Sequence, residues 1–176
     1  VMLIAEYRAA DLRDRLHGVT RFHNKDAEHW QTVARTLVRE NDGRVLNLLA
    51  DQNHDALNLK AMLENRPHSV PYLRGPKIRS LWLRLIHEEV TELDRIEKID
   101  IPVDRHIAWV TNRLLGTEYS CQESSDTIRK IWMQACRSRG LVPVRVDQPF
   151  WLIGKYRDSW GEDYLERVAT NGVGAS

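Results

Sequence analysis

Residues 72–82 read Tyr-Leu-Arg-Gly-Pro-Lys-Ile-Arg-Ser-Leu-Trp, and how this stretch is read decides the fold. Gly75 and Pro76 turn the chain. Lys77 then stands at the start of a segment with Ile78, Leu81, Trp82, Leu85 and Ile86 at helical spacing. That i, i+3, i+4, i+7, i+8 pattern predicts an amphipathic helix entered through a tight turn. A helix N-terminus of this kind points free N–H donors and a positive dipole end outward, which suits a phosphate. Arg74, Lys77, Arg79 and Arg84 lie on or beside it, so the stretch fits a clamp on a nucleic-acid backbone. A plain turn between two helices, carrying solvated basic residues, fits the same letters.

Working outward, helix follows helix. Upstream, Trp30, Val33, Ala34, Leu37 and Val38 form one stripe, broken at Asn41-Asp42-Gly43. Val45, Leu48 and Leu49 begin another, and Leu59, Met62 and Leu63 a third that Pro67 ends. Downstream of an acidic segment, Asp104 precedes a helix with Ile107, Val110 and Leu114 inward and Gly116 as its stop. Ser124 or Ser125 opens a helix carrying Ile128, Ile131, Trp132, Ala135 and Cys136, closed by Gly140. Asp147 and Pro149 open Phe150–Tyr156, and Gly161 separates that segment from a last helix over 163–170. The only strand-like run is Leu141–Val146, which has no partner strands to make a sheet. The expected fold is all-α: one helical domain over 1–170 with a loose tail at 171–176.

Composition narrows the function classes. Of 176 residues, 42% are hydrophobic and 29% charged, a soluble globular balance. The net charge is only +1, so a nucleic-acid partner would have to be met by a local basic face rather than by bulk charge. Cys121 and Cys136 form no CxxC pair, which leaves zinc and iron–sulfur sites without support. No apolar run reaches the length of a membrane span, and the opening VMLIAEYRAADLRDRL is too charged for a secretory signal. It begins without Met, which leaves open whether residues precede Val1. The expected setting is cytoplasmic, nucleoid-associated in a prokaryote.

Ile101-Pro-Val-Asp104-Arg-His106-Ile107 is the second informative stretch. Asp104 is placed to cap the helix that follows it. Apolar neighbours on both sides also make it a carboxylate whose surroundings and helix dipole pull its chemistry in opposite directions. In the third stretch, Val146–Tyr156, Phe150 and Trp151 suit either a core or a base-stacking platform.

In this order the three stretches resemble the helix-hairpin-helix DNA glycosylase superfamily, which includes endonuclease III and the 8-oxoguanine glycosylases. The superfamily hairpin has the form L-P-G-x-G-x-K, and here stand Leu73-Arg74-Gly75-Pro76-Lys77-Ile78-Arg79. Its apolar-V-D-x-H segment resembles Ile101–Ile107, leading to Asn112-Arg113, and its W-L-I…G-R/K-Y helix resembles Trp151–Tyr156. The second hairpin glycine is absent. Aligned without a gap, Arg79 takes the catalytic lysine's place; with the hairpin two residues shorter, Lys77 does. The 27 positions from Lys77 to Asp104 are most similar to the archaeal-type 8-oxoguanine glycosylases and favour Lys77.

The resemblance implies a helical bundle with a central cleft, acting as a monomer on duplex DNA with a damaged base. It implies base excision with AP lyase activity, no membrane, no metal and no cofactor; the four-cysteine loop of endonuclease III is missing after Tyr156. Lys77 would be the amine nucleophile, with Arg74 or Arg79 the cation beside it, and Asp104 would stabilise charge on the sugar. Arg74, Gly75, Arg79 and His106 would contact the DNA backbone. Trp109, Phe150 and Trp151 would line the pocket for the flipped base. A glycosylase using Asp104 and water, and a non-catalytic DNA-binding module, are the alternatives.

Overall fold

The computed structural model describes residues 1–66 and 68–172. Every regular element among them is helical, and the one extended feature is an isolated parallel bridge between Asp55 and Asp94. None of the described helices is long and apolar enough to cross a membrane. The chain forms two compact units, Val1–Arg95 and Ile96 onward.

The first unit holds α1 (Met2–Glu6), α2 (Ala9–Leu16), α3 (His23–Asn41), α4 (Val45–Asp51), α5 (Ala56–Asn65) and α6 (Pro76–Glu89), with one 3₁₀ turn at Pro71–Arg74. Leu12 and Leu16 of α2 bury against Ala27 of α3, with Ile4 and Tyr7 packed over them. The break expected at 41–43 is an αL C-cap at Asp42, φ 52°, followed by Gly43, φ 70°. Asp55 caps α5 through the Asn58 amide and also binds Arg95. α5 ends at Asn65; Pro67, expected to end it, lies outside the described residues.

Two stripes differ from expectation. On α3 Trp30 is exposed, and the buried line runs through Ala27, Gln31, Ala34 and Leu37. On α6 Ile78 and Leu85 are exposed, while Arg79, Ser80, Leu83, Arg84 and Ile86 are buried. Helical spacing alone could not foresee that Arg79 turns inward, because its partners lie outside α6.

The second unit holds a 3₁₀ turn at Ile96–Lys98, then α7 (Arg105–Leu115), α8 (Ser125–Ser138), α9 (Pro143–Lys155), one π-helical turn at Arg157–Gly161, and α10 (Glu162–Gly172). Its core gathers Ile101, Val103, Ile107 and Ala108 with Ile128 of α8. A second cluster joins Val110, Ile153 and Leu165. Trp132 Nε1 donates to Thr111 Oγ1, whose hydroxyl in turn donates to the Ile107 carbonyl. α7 stops at Gly116 in αL, φ 64°, as expected.

The strand-like run Leu141–Val146 is instead the entry and first turn of α9. Pro143 sits at the N1 position, where a missing N–H is no loss. Pro149, expected to open a segment, lies inside that helix. α10 continues to Gly172, so 171 and 172, expected in the tail, are helical; the rest of the expected tail, 173–176, lies outside the described residues.

Candidate active site

The lysine hairpin belongs to the first unit. Pro71 starts the 3₁₀ turn, Gly75 is the N-cap of α6, and Pro76 fills N1. The first bond of α6 runs from the Arg79 amide to the Gly75 carbonyl at 3.0 Å. The amides of Lys77 and Ile78 therefore precede the intrahelical ladder, at the positive end of the helix dipole. Arg74, Gly75 and Lys77 are all exposed there. Gly75 has φ −69° and open space around its Cα, so no backbone or packing constraint requires glycine.

Arg79 behaves differently. It is 5% exposed. Its Nη1 donates to the Arg74 carbonyl at 2.7 Å, and its Nη2 pairs with Glu64 of α5 at 2.6 Å. The guanidinium expected on a phosphate thus ties the two arms of the hairpin together. Glu64 escaped the sequence reading because nothing local links it to a residue 15 positions on.

Asp104 begins α7 in the second unit. Its Oδ1 accepts from the amides of His106 at 2.8 Å and Ile107 at 3.1 Å. Buried Ile101, Val103 and Ile107 wall this turn, so the cap is held by the core beneath it. His106 leads to the third stretch. A Cβ at Gly154 would lie 2.7 Å from His106 Cβ and 2.8 Å from its carbonyl oxygen. Only glycine lets α9 approach α7 this closely, and the approach brings His106 edge-on to Trp151 at 5.8 Å.

Lys155 Nζ lies over the Trp151 ring at 4.6 Å and the Tyr156 ring at 5.2 Å. Arg105 Nε donates to His106 Nε2 at 3.3 Å. Asp104, His106, Trp151 and Lys155 are thereby gathered on the facing ends of α7 and α9. The other two aromatic candidates are not at this surface: Phe150 packs on Trp132 at 4.5 Å and touches both core clusters, and Trp109 packs with the Val110 cluster. In the sequence, the i, i+4 spacing from Trp151 is the one local mark of Lys155. Among the described residues, no group of three or more His, Cys, Asp or Glu side chains could hold a metal ion.

No curated protein and no solved structure matches this chain. The sequence model of the AGOG family, described as N-glycosylase/DNA lyase, matches residues 75–171. That span is more than half of the chain. It runs from the hairpin glycine through the Asp104 turn and the Trp151–Tyr156 segment to α10, taking in the second and third stretches that carry the resemblance and the first from Gly75 onward. The chain therefore belongs to the AGOG family of DNA N-glycosylases/lyases, within the helix-hairpin-helix superfamily of base excision repair.

Proposed function

We propose that this protein removes an oxidised purine such as 8-oxoguanine from duplex DNA and nicks the strand, acting as a monomer, with Lys77 as nucleophile and Asp104 as its charged assistant. What supports Lys77 over Arg79 is their contrast within one turn of α6. Lys77 is exposed at the helix start, whereas Arg79 is buried on Glu64 and the Arg74 carbonyl. A guanidinium in that ion pair can neither reach a sugar nor form an imine.

In this reading the damaged nucleotide leaves the stack, and Arg74, Gly75, the first amides of α6 and His106 hold the bent backbone. The neutral Lys77 amine attacks C1′. The new N–C bond forms as the glycosidic bond breaks, and the base departs with the electron pair and takes up a proton. Asp104 faces the positive charge that develops on the sugar. Opening of the sugar ring gives the imine. Loss of a proton from C2′ then expels the 3′ phosphate and cuts the strand. Of the three aromatic candidates, Trp151 is the one at the surface beside His106, and it would stack on the extruded base; Phe150 and Trp109 would support it from within.

Borohydride trapping tests the reading. Wild-type protein with an 8-oxoguanine duplex should yield a covalent adduct, and Lys77→Gln should yield none. An adduct that survives in Lys77→Gln overturns the assignment. Base release without trapping, abolished by Asp104→Asn, would point to water as the nucleophile. DNA binding with neither activity would leave a non-catalytic module.

A further inference from the structure

Tyr72 sits five positions before Lys77, in the 3₁₀ turn that leads into the hairpin. Its hydroxyl donates to Asp26 Oδ1 on α3, 46 positions away in sequence. The His29 ring, one turn further along α3, meets the Tyr72 ring edge-on at 4.2 Å and 83°. Asp26 is held below the usual carboxylate range by the hydroxyls of Thr20 and Tyr72, with His29 and His23 adding to it. Desolvation and the Asp26 bond push Tyr72 up to about 12. The bond thus joins a protonated phenol to a charged carboxylate, the stronger kind of hydrogen bond.

Both ends of the contact are stiff. Asp26 adjoins Ala27, which is fully buried against α2. On the other side, Pro71 fixes φ just before Tyr72, and Pro76 fixes it just before the nucleophile. The Leu73 amide bonds to the Val70 carbonyl at 3.0 Å, and the Arg74 carbonyl is held by Arg79. The chain from Tyr72 to Lys77 has little freedom left, so a displacement of Tyr72 is passed on to the start of α6.

We propose that Asp26 and Tyr72, braced by His29, form a latch that sets the position of the Lys77 hairpin, making all three positioning residues for the reaction. For its chemical consequence the proposal rests on Lys77 being the nucleophile; the latch itself does not. Tyr72 is more than a third exposed, so Tyr72→Phe removes only the hydroxyl and keeps the ring against His29 without opening a cavity. Asp26→Ala removes the acceptor from the other side.

Hydrogen exchange and single-turnover trapping together decide it. In Tyr72→Phe and in Asp26→Ala, the hydrogen-bonded amides at the two ends of 73–79, those of Leu73 and Arg79, should exchange about tenfold faster, as expected for losing a bond to a charged acceptor. Those of α7–α9 should be unchanged. The trapping rate at saturating DNA should fall about tenfold, with the affinity for abasic DNA within about twofold of wild type; the double variant should lose no more than either single. A part that is merely structural would lower the melting temperature and leave the saturated rate alone. Unchanged exchange at Leu73 and Arg79 overturns the latch. Faster exchange with an unchanged rate, in a protein whose adduct is lost in Lys77→Gln, overturns the positioning claim alone. If Lys77→Gln still traps, the proposed nucleophile fails, and the exchange result continues to judge the latch.

Discussion

Asp104 holds the first turn of α7 through one carboxylate oxygen, and asparagine offers an oxygen at the same place. Asn and Asp cap helices about equally well, whereas alanine forfeits the cap at a cost of about 1 kcal/mol. Asp104→Asn should therefore melt close to wild type while base release falls about 100-fold or more, the scale of a missing charged or acid–base partner. Asp104→Ala should lose both. If activity in the two variants simply follows their melting temperatures, Asp104 is a cap and nothing more. This residue was legible in the sequence because a cap is a local device. The acceptor and its two donors lie within three positions, and the Gly116 stop is equally local. Gly154 was less so: its letter stood in the motif, but its reason is the backbone of His106, 48 positions earlier.

For the α5–α6 hairpin the legible part was the turn, and the hidden part was what clamps it. Local sequence offers Arg79 to the DNA backbone or to the catalytic position, because its partners sit on α5 and in the preceding 3₁₀ turn. Spacing alone turns the apolar stripe of α6 toward Ile78 and Leu85, whereas the buried face also takes in Arg79, Ser80 and Arg84. The two arginines of the hairpin should now separate under salt titration of DNA binding. Arg74→Gln, at an exposed cation, should lower the slope of log affinity against log salt by about one. Arg79→Met should leave the slope alone and destabilise the fold by about 2 kcal/mol, since Glu64 is half-exposed and can hydrate once its partner is gone. A reduced slope in Arg79→Met would return that side chain to the DNA. The start of α9 is hard to place in the sequence for a related reason. Alternating β-branched residues in Leu141–Val146 imitate a strand, yet Val144 is buried on a helix that Pro143 starts.

At the scale of the whole chain, charge and cooperativity carry the expectations. A net charge of +1 means that affinity for DNA comes from where the cations stand rather than from their number. We propose that residues 1–170 behave as a single domain, unfolding in one calorimetric transition whose enthalpy equals the van't Hoff value. Two resolved transitions would divide the chain near Arg95 instead. Acid should weaken the fold in a defined direction. Arg95 beside Asp55, and Thr20 and Tyr72 beside Asp26, hold those carboxyls below their ordinary values. A lowered native value stabilises the fold fully above the unfolded carboxylate range, about pH 3.9, and the contribution disappears as pH falls through the native value. The melting temperature should thus hold between pH 5 and pH 7, as order-of-magnitude bounds, and fall below about pH 4. A melting temperature that rises on acidification would contradict these pairings.

The cation seated on Trp151 has an optical consequence. An ammonium over an indole face perturbs its excited state, and so does an imidazole at its edge. Trp151 has both, in Lys155 and His106. A nucleotide that stacks on this ring, or a phosphate that draws either partner away, must change the emission of this tryptophan. On the proposed stacking of the extruded base, Trp151 is an unlabelled probe of extrusion. Stopped-flow fluorescence of wild type minus Trp151→Phe should time the arrival of the base separately from the cutting of the strand, and an identical trace from both proteins would locate the signal elsewhere.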